Sequence, residues 1–166
     1  VVPLRSFDGL TRLAHVLDVD ARTDLMLRLA ANTIAVIHQA RLPVSIVSSD
    51  AAVTRWASAH AERVVPEPSA GGLNAAALAG VSAVPRPWIV VHADLPALGV
   101  EDIVAAARLA EWTTVIAPSR DGGTSLLGSN GDPPPFRYGP GSYRRHLHAV
   151  RGQAITLLRP GLALDL

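Results

Sequence analysis

The stretch Trp88-Ile-Val-Val-His-Ala-Asp-Leu-Pro96 decides the fold. Its apolar first half is typical of a buried strand, and Pro96 prevents the strand from continuing because proline cannot donate to a sheet ladder. Asp94 therefore lies at the carboxyl end of a predicted strand. A carboxylate in that position either binds Mg²⁺ together with substrate phosphates or merely caps the turn, and the pattern alone leaves both interpretations open.

The rest of the chain alternates apolar runs with helical patterns, which predicts an α/β fold with a mostly parallel mixed sheet flanked by helices. Strands are predicted at residues 1–4, 44–48, 63–65, 88–92, 114–117, 125–128, 155–158 and 162–165. Helices are predicted at residues 21–39, 51–61, 73–84, 100–111 and 142–150, with Asp20 and Asp50 as N-caps. Ligands in such sheets bind outside the carboxyl ends of the strands.

Length and composition exclude several classes of function. A chain of 166 residues fits one domain, 1–166, with a core of its own. Cysteine is absent and all 15 basic residues are arginine, which excludes thiol nucleophiles, Cys-ligated zinc, Walker-type P-loops and Schiff-base lysines. A net charge of +1 offers no basic face for nucleic acid. Without an evident signal peptide or membrane-spanning run, we expect a cytoplasmic protein that does not contact a membrane.

Two glycine-containing segments could bind an anion. In Ala117-Pro-Ser-Arg-Asp-Gly-Gly-Thr-Ser125 the glycines allow successive N–H groups to converge on an anion beside Thr124, but Asp-Gly is also a common hairpin signal, and alone it favours the turn. In Phe136-Arg-Tyr-Gly-Pro-Gly-Ser-Tyr-Arg-Arg-His146, Ser142 is a plausible N-cap of a helix. Arginines at 144 and 145 are unfavourable in a first turn unless an anion binds there, so an anion site is favoured over two solvated arginines.

Two further loops offer nucleotide contacts. Arg5 and Arg12, in the loop after the first strand, could hold a triphosphate, although surface arginines in loops are common. Asn74, at the start of an Ala-rich helix, could bond a base or ribose, or it could cap the helix. Two histidines, at 146 and 148, point in different directions on a helix and cannot share a metal. We interpret the histidines at 15, 38, 60 and 92 as structural.

In order along the chain, these segments resemble the CofC/FbiD family, the guanylyltransferases of coenzyme F-420 biosynthesis. The match covers nearly the whole sequence. It rests on six short motifs and on the chain's last residues: Pro3-Leu-Arg with Thr11-Arg-Leu, Gly72-Leu-Asn, Ala93-Asp-Leu-Pro, Arg120-Asp-Gly-Gly-Thr, Tyr138-Gly-Pro-Gly-Ser with His146, and Leu164-Asp-Leu. Each motif is common, and the ordered set is specific.

The resemblance implies a Rossmann-like fold of the nucleotide-diphospho-sugar transferase type and a reaction in which a phosphorylated three-carbon acid attacks the α-phosphate of GTP and expels pyrophosphate. The acid is phosphoenolpyruvate in bacterial members and 2-phospho-L-lactate in archaeal ones, and the actinobacterial-like composition favours phosphoenolpyruvate. The family's metal positions, here for Mg²⁺, fall on Asp94 and Asp165.

The resemblance also assigns substrate positions. Those for phosphoenolpyruvate fall on Thr124, Gly139 and Ser142. We assign the nucleotide, with a preference for GTP, to Arg5, Arg12 and the Gly72-Leu73-Asn74 segment. Two alternatives remain open: another guanylyltransferase, such as one acting on molybdenum cofactor, and a non-catalytic nucleotide-binding relative.

Overall fold

The computed structural model describes residues 1–61 and 63–166. In these residues the strands are β1 Val2–Pro3, β2 Ser45–Val47, β3 Arg63–Val65, β4 Trp88–Val91, β5 Thr114–Pro118, β6 Thr124–Ser129 and β7 Ala154–Thr156. The helices are α1 Val19–Gln39, α2 Ala51–Ala57, α3 Gly72–Ser82, α4 Val100–Ala110, α5 Ser142–Ala149 and α6 Pro160–Ala163, with a 3-10 turn at Thr11–Leu13.

The strands form two sheets that adjoin along β1 and β4. The first sheet is parallel, in the order β1-β2-β3, and the second is mixed, in the order β4-β6-β5-β7. The Val1 amino group donates to the Ile89 carbonyl at 2.7 Å, and the Val91 N–H donates to the Val1 carbonyl at 3.0 Å. These bonds make the order β3-β2-β1-β4-β6-β5-β7 continuous, with β6 antiparallel to both of its neighbours. The predicted mostly parallel, mixed sheet is confirmed.

Helices cover both faces of the sheet because the buried strands are apolar on both sides. In β4, Ile89 and Val91 pack into a core with α1 and α4, while Trp88 and Val90 pack into a second core with α3. Alternate residues of a strand point to opposite faces, so a continuous apolar run fills two cores at once. None of the helices in residues 1–61 and 63–166 has the length and hydropathy to cross a membrane.

The start of α1 differs from the prediction. Asp18, and not Asp20, is the N-cap, and its Oδ1 accepts a hydrogen bond of 2.8 Å from the Ala21 N–H. Asp20 lies in the first turn, where its charge interacts favourably with the helix dipole. The Asp50 cap is confirmed, since its Oδ1 accepts from the N–H groups of Ala52 and Val53, each at 2.9 Å.

The predicted strand at residues 162–165 is wrong, because residues 160–163 form the short helix α6. Pro160 occupies its first turn, where the missing N–H has no consequence and the fixed φ favours a helix. Leu162 is completely buried in this turn, which accounts for the apolar signal that suggested a strand. Extended backbone resumes at Leu164 and leads to Asp165.

Candidate active site

A cleft of about 380 Å³ opens at the carboxyl-terminal edge of β1 and β4. Because β6 runs in the opposite direction, its first residue, Thr124, reaches the same edge. Eight of the ten predicted site residues line this cleft: Arg5, Arg12, Leu73, Asp94, Thr124, Gly139, Ser142 and Asp165. Gly72 and Asn74 are adjacent in sequence to a lining residue but do not line the cleft themselves.

The two predicted metal ligands are distant in sequence and line the same cleft. Asp94 follows β4, and its Oδ1 is buried without a hydrogen-bond partner among the described residues. The Leu166 N–H donates to the Asp94 carbonyl at 3.3 Å, which holds the C-terminal segment beside the end of β4. Asp165 is thereby brought to the same wall of the cleft.

Electrostatics distinguish Asp94 from an ordinary surface carboxylate. Burial raises the pKa of Asp94, and the charge of Asp165 raises it further, while His92 opposes the increase. The His92 Nδ1 lies 4.0 Å from the Asp94 Oδ1, which is beyond hydrogen-bond distance. A buried carboxylate oxygen with no donor, beside a second carboxylate, is suited to a bound cation.

Residues 1–61 and 63–166 contain no group of three or more His, Cys, Asp or Glu side chains arranged to hold a metal. A pair of carboxylates is nevertheless sufficient for Mg²⁺, which commonly takes one or two carboxylates and completes its shell with water and substrate phosphates. The residues present therefore fit this ion, and they do not form a closed all-protein site.

The loop between β5 and β6 is a hairpin turn that uses its own N–H groups. The Gly123 N–H donates to the Asp121 Oδ1 at 2.8 Å, and the Gly122 N–H donates to the Ser119 carbonyl at 3.0 Å. These donors are therefore not available to a bound anion, and the hairpin interpretation of the Asp-Gly-Gly segment is confirmed. Hydrogen bonds from Ser119 and Gly123 lower the pKa of Asp121.

The two arginines of the opening loop border the cleft and remain accessible. Arg12 lies in the 3-10 turn, its side chain is 69% exposed, and its Nη2 lies 3.2 Å from the Asp121 Oδ2. Arg5 is exposed, and its carbonyl accepts a bond of 3.4 Å from the Ser48 hydroxyl. Since an exposed ion pair is weak, Arg12 can exchange Asp121 for a ligand phosphate at little cost.

The start of α5 also differs from the prediction. Gly141 occupies the N-cap position, with a φ of 68° that favours glycine, and Ser142 is the first helical residue. The Ser142 N–H donates to the Gly139 carbonyl at 3.0 Å, and the next N–H, of Tyr143, donates to the Gly122 carbonyl at 3.2 Å. The Ser142 side chain is buried and points to Thr124, with a hydrogen bond of 3.1 Å between the hydroxyls.

The arginines at 144 and 145 do not line the cleft. Both are exposed at a separate surface depression, and the Arg145 Nη2 donates to the Tyr138 carbonyl at 3.3 Å. The sequence left two interpretations open for these arginines, an anion site and solvated side chains. For Arg144 the second fits better, because this residue is exposed and does not line the cleft.

Asn74 is hydrogen-bonded to a segment that lines the cleft. Its Oδ1 accepts a hydrogen bond of 2.7 Å from the Tyr138 N–H. It does not cap α3, because Gly71 occupies the N-cap position. Asn74 therefore connects the start of α3 to the Tyr138-Gly139 segment that lines the cleft.

His92, which the sequence pattern indicated as structural, is a further residue of the cleft. His92 lines the cleft, and its Nε2 is buried without a hydrogen-bond partner among the described residues. The available signal was its position two residues before Asp94 at the end of the same strand. Buried polar atoms are normally paired, so an unpaired ring nitrogen at a cleft wall is suited to a ligand contact.

Comparisons with known proteins agree with this arrangement. The chain matches the family described as "Guanylyl transferase CofC like" over residues 1–158. It is 30% identical to the phosphoenolpyruvate guanylyltransferase of Roseiflexus castenholzii, over 95% of this chain and 76% of that protein. It is 35% identical to the 3-phospho-D-glycerate guanylyltransferase of Phenylobacterium zucineum, over 74% of this chain and 62% of that protein.

Among solved structures, the fold is similar to that of a protein from Desulfovibrio desulfuricans G20 described as a nucleotide-diphospho-sugar transferase. The TM-score is 0.75, with 16% identity, and the match covers 95% of this chain and 78% of the other. This likeness confirms the predicted fold type. With the family match over nearly the whole chain, it follows that the chain belongs to the CofC-like family of guanylyl transferases.

Proposed function

We propose that this protein transfers GMP from GTP to phosphoenolpyruvate, or to a related phosphorylated three-carbon acid, in coenzyme F-420 biosynthesis. The observation that supports this most is the wall of the cleft at Asp94, where a buried carboxylate oxygen has no hydrogen-bond partner among the described residues and lies within the electrostatic influence of Asp165. Arginines line the same cleft at the opening loop. Cation-binding and phosphate-binding groups thus share one cavity.

The proposed reaction requires little chemistry from the protein. A phosphate oxygen of the acceptor attacks the α-phosphorus of GTP and forms a new P–O bond. The bond from that phosphorus to the oxygen bridging the α- and β-phosphates breaks, and pyrophosphate leaves with the electron pair. Because the attacking oxygen is already ionised, no general base is needed, and catalysis consists of positioning and charge neutralisation.

The residues divide between the two substrates. Arg5 and Arg12 are free to bind the triphosphate, since the first is exposed and the second is held only by an exposed ion pair. Thr124, which accepts a hydrogen bond from Ser142, would hold the acceptor together with the Gly139 turn on the other side of the cleft.

We assign Mg²⁺ to Asp94 and Asp165. When bound, this ion neutralises charge on the phosphates of the nucleotide. The assignment rests on the orphaned Asp94 Oδ1 and on the hard oxygen character of both ligands. The protein's own contribution is to hold the two carboxylates together, through the bond from the Leu166 N–H to the Asp94 carbonyl.

The guanine base is assigned to the segment Gly72-Leu73-Asn74. Leu73 is 38% exposed and lines the cleft, where it offers an apolar surface to a base. Because the Asn74 Oδ1 is bonded to Tyr138, we assign recognition of the base edge to the backbone groups of this segment, and a site that is built to hydrogen-bond one base discriminates strongly against another. We expect GTP to be preferred to ATP, and equal pyrophosphate release from both at subsaturating concentration would contradict this.

The experiment is a pyrophosphate-release assay with GTP, Mg²⁺ and one acid at a time. Phosphoenolpyruvate, 3-phospho-D-glycerate and 2-phospho-L-lactate are compared, because relatives of this chain are named after each of them. We expect the highest kcat/KM with phosphoenolpyruvate, and a product whose mass equals GMP plus the acid less one water. Nucleotide binding without pyrophosphate release from any acid would instead support a non-catalytic relative.

A molybdenum cofactor guanylyltransferase is the enzymatic alternative. The same assay with molybdenum cofactor as acceptor distinguishes it, because this cofactor is far larger than a three-carbon acid. Turnover with molybdenum cofactor and none with the three acids would overturn the proposal.

A further inference from the structure

A buried histidine lies behind the acceptor side of the cleft. His146, on α5, is completely buried, and both of its ring nitrogens are hydrogen-bonded. Its Nε2 lies 2.8 Å from the backbone N of Arg137, and its Nδ1 lies 3.0 Å from the Thr124 Oγ1. His146 does not itself line the cleft, but Thr124 does.

These partners determine which ring nitrogen of His146 carries the proton. A backbone N–H can only donate, so Nε2 must accept from Arg137. Burial lowers the pKa of His146 to about 4, with the positive charge of Arg145 adding to the effect, so the ring is neutral at pH 7. A neutral imidazole has one N–H, which must then be on Nδ1 and must donate to Thr124.

The Thr124 hydroxyl therefore accepts two hydrogen bonds. One comes from the His146 Nδ1–H, and the other comes from the Ser142 hydroxyl at 3.1 Å. A hydroxyl oxygen has two lone pairs, and both are now used. Within the described residues these are the two bonds of this side chain, so its own hydrogen remains available.

On this basis we infer that His146 is a positioning residue that makes the Thr124 hydroxyl an obligatory donor toward an anionic group in the cleft. The inference deepens the proposed function and rests on it, since the anion is taken to be the phosphorylated acid. It also gives different roles to Thr124 and Ser142, which the family resemblance assigns to the same substrate. Thr124 contacts the acid, while Ser142 spends its hydrogen on Thr124 and acts through it.

Two substitutions at position 146 separate the two hydrogen bonds. In H146N the side-chain amide nitrogen is the same number of covalent bonds from Cα as the histidine Nδ1. It can therefore still donate a hydrogen bond to Thr124. In H146Q the side-chain amide is the same number of covalent bonds from Cα as the histidine Nε2. Its oxygen can therefore accept from the Arg137 N–H, but the amide cannot reach Thr124. We expect KM for the acid to rise about tenfold or more in H146Q and to rise less in H146N, with KM for GTP unchanged in both.

His148→Gln is the matched control, because His148 is exposed on the same helix and should leave both KM values unchanged. Thr124→Val removes the hydroxyl and tests whether His146 acts through it. If it does, the double variant H146Q/T124V binds the acid no more weakly than T124V alone. Equal losses in H146N and H146Q, or additive losses in the double variant, would overturn the inference.

A measurement without turnover separates failure of this inference from failure of the proposed function. Two-dimensional ¹H–¹⁵N spectra of the histidine rings at pH 7, assigned with H146Q, report the tautomer directly. We expect the Nδ1–H form for His146. A ring protonated at Nε2, or at both nitrogens, would overturn the inference. If the ring carries its proton on Nδ1 but the protein uses none of the acids, the positioning role of His146 stands and only the proposed acceptor is rejected.

Discussion

Gly161 lies directly against the Asp102 carboxylate, in a space where no side chain fits. A Cβ atom at position 161 would meet the carboxylate and would lie 2.6 Å from the Ala97 carbonyl oxygen. Asp102 is buried, it accepts from the Gly99 N–H at 3.0 Å, and it forms an ion pair of 2.8 Å with Arg159. This contact attaches α6 to α4, and α6 leads to the candidate metal ligand Asp165.

Gly161→Ala should therefore loosen the segment that carries Asp165. We expect a loss of about 1–3 kcal/mol in the free energy of unfolding, because backbone must move to admit the methyl group. The Mg²⁺ concentration for half-maximal pyrophosphate release should rise as well. Urea titration and a Mg²⁺ titration measure the two effects.

Gly131→Ala is the control for this substitution. Its Cβ would lie 3.6 Å from the nearest atom, the Ser129 hydroxyl oxygen, which is an ordinary contact. We expect a change within about 0.5 kcal/mol. Equal effects of the two substitutions would contradict the role of the Gly161 contact.

Asp94→Asn should abolish turnover and preserve the fold. No described group donates to the Asp94 Oδ1, so the substitution breaks no hydrogen bond at that atom. It removes a negative charge that the proposed Mg²⁺ site needs. We expect pyrophosphate release to fall to background at all Mg²⁺ concentrations with little change in the melting temperature.

Asp132→Asn provides the comparison for Asp94, since the Asp132 side chain is 89% exposed and does not line the cleft. It should retain turnover. Near-native pyrophosphate release in Asp94→Asn would remove the metal assignment.

Arg12→Ala should weaken GTP binding without a large effect on stability. The exposed ion pair with Asp121 contributes at most about 1 kcal/mol, whereas a charge-assisted bond to a triphosphate contributes more. We expect KM for GTP to rise about tenfold or more, with KM for the acid nearly constant. Arg28→Ala removes an exposed arginine paired with Asp24 on α1 and should change neither value.

The buried His146 should make the protein sensitive to mild acid. Its pKa is about 4 in the folded protein against an ordinary value of 6.5. Between these values the unfolded chain binds a proton that the folded protein does not, so acidification favours unfolding. The contribution of neutral His146 to the free energy of unfolding is fully present above pH 6.5. It is lost as the pH falls toward 4, by up to about 1.4 kcal/mol per pH unit.

Urea titrations at a series of pH values between 7.5 and 4.5 measure this dependence. The slope of stability against pH below 6.5 should be smaller in His146→Gln than in the native protein. His148→Gln should keep the native slope, because His148 is exposed. Identical slopes in all three proteins would show that His146 titrates normally.

The sequence by itself determined the order of strands and helices, because apolar periodicity is a local property. It also placed Asp94 at the carboxyl end of a strand, since Pro96 marks where that strand stops. The site positions of Thr124 and Asp165 came from the family resemblance, not from recognisable strand ends. Local signals failed at residues 160–163, where Pro160 and the close contact of Gly161 with Asp102 produce a helical turn.

Only the tertiary structure decided which polar atoms are already used. The N–H groups of Gly122 and Gly123 bond within their own turn, and the Asn74 Oδ1 bonds to Tyr138, sixty-four residues away in sequence. The Asp94 Oδ1 and the His92 Nε2, in contrast, are left without partners in the described part of the chain. Hydrogen-bond partners come from residues that are distant in sequence, so a local pattern can identify a donor or acceptor but cannot show whether it is free for a ligand.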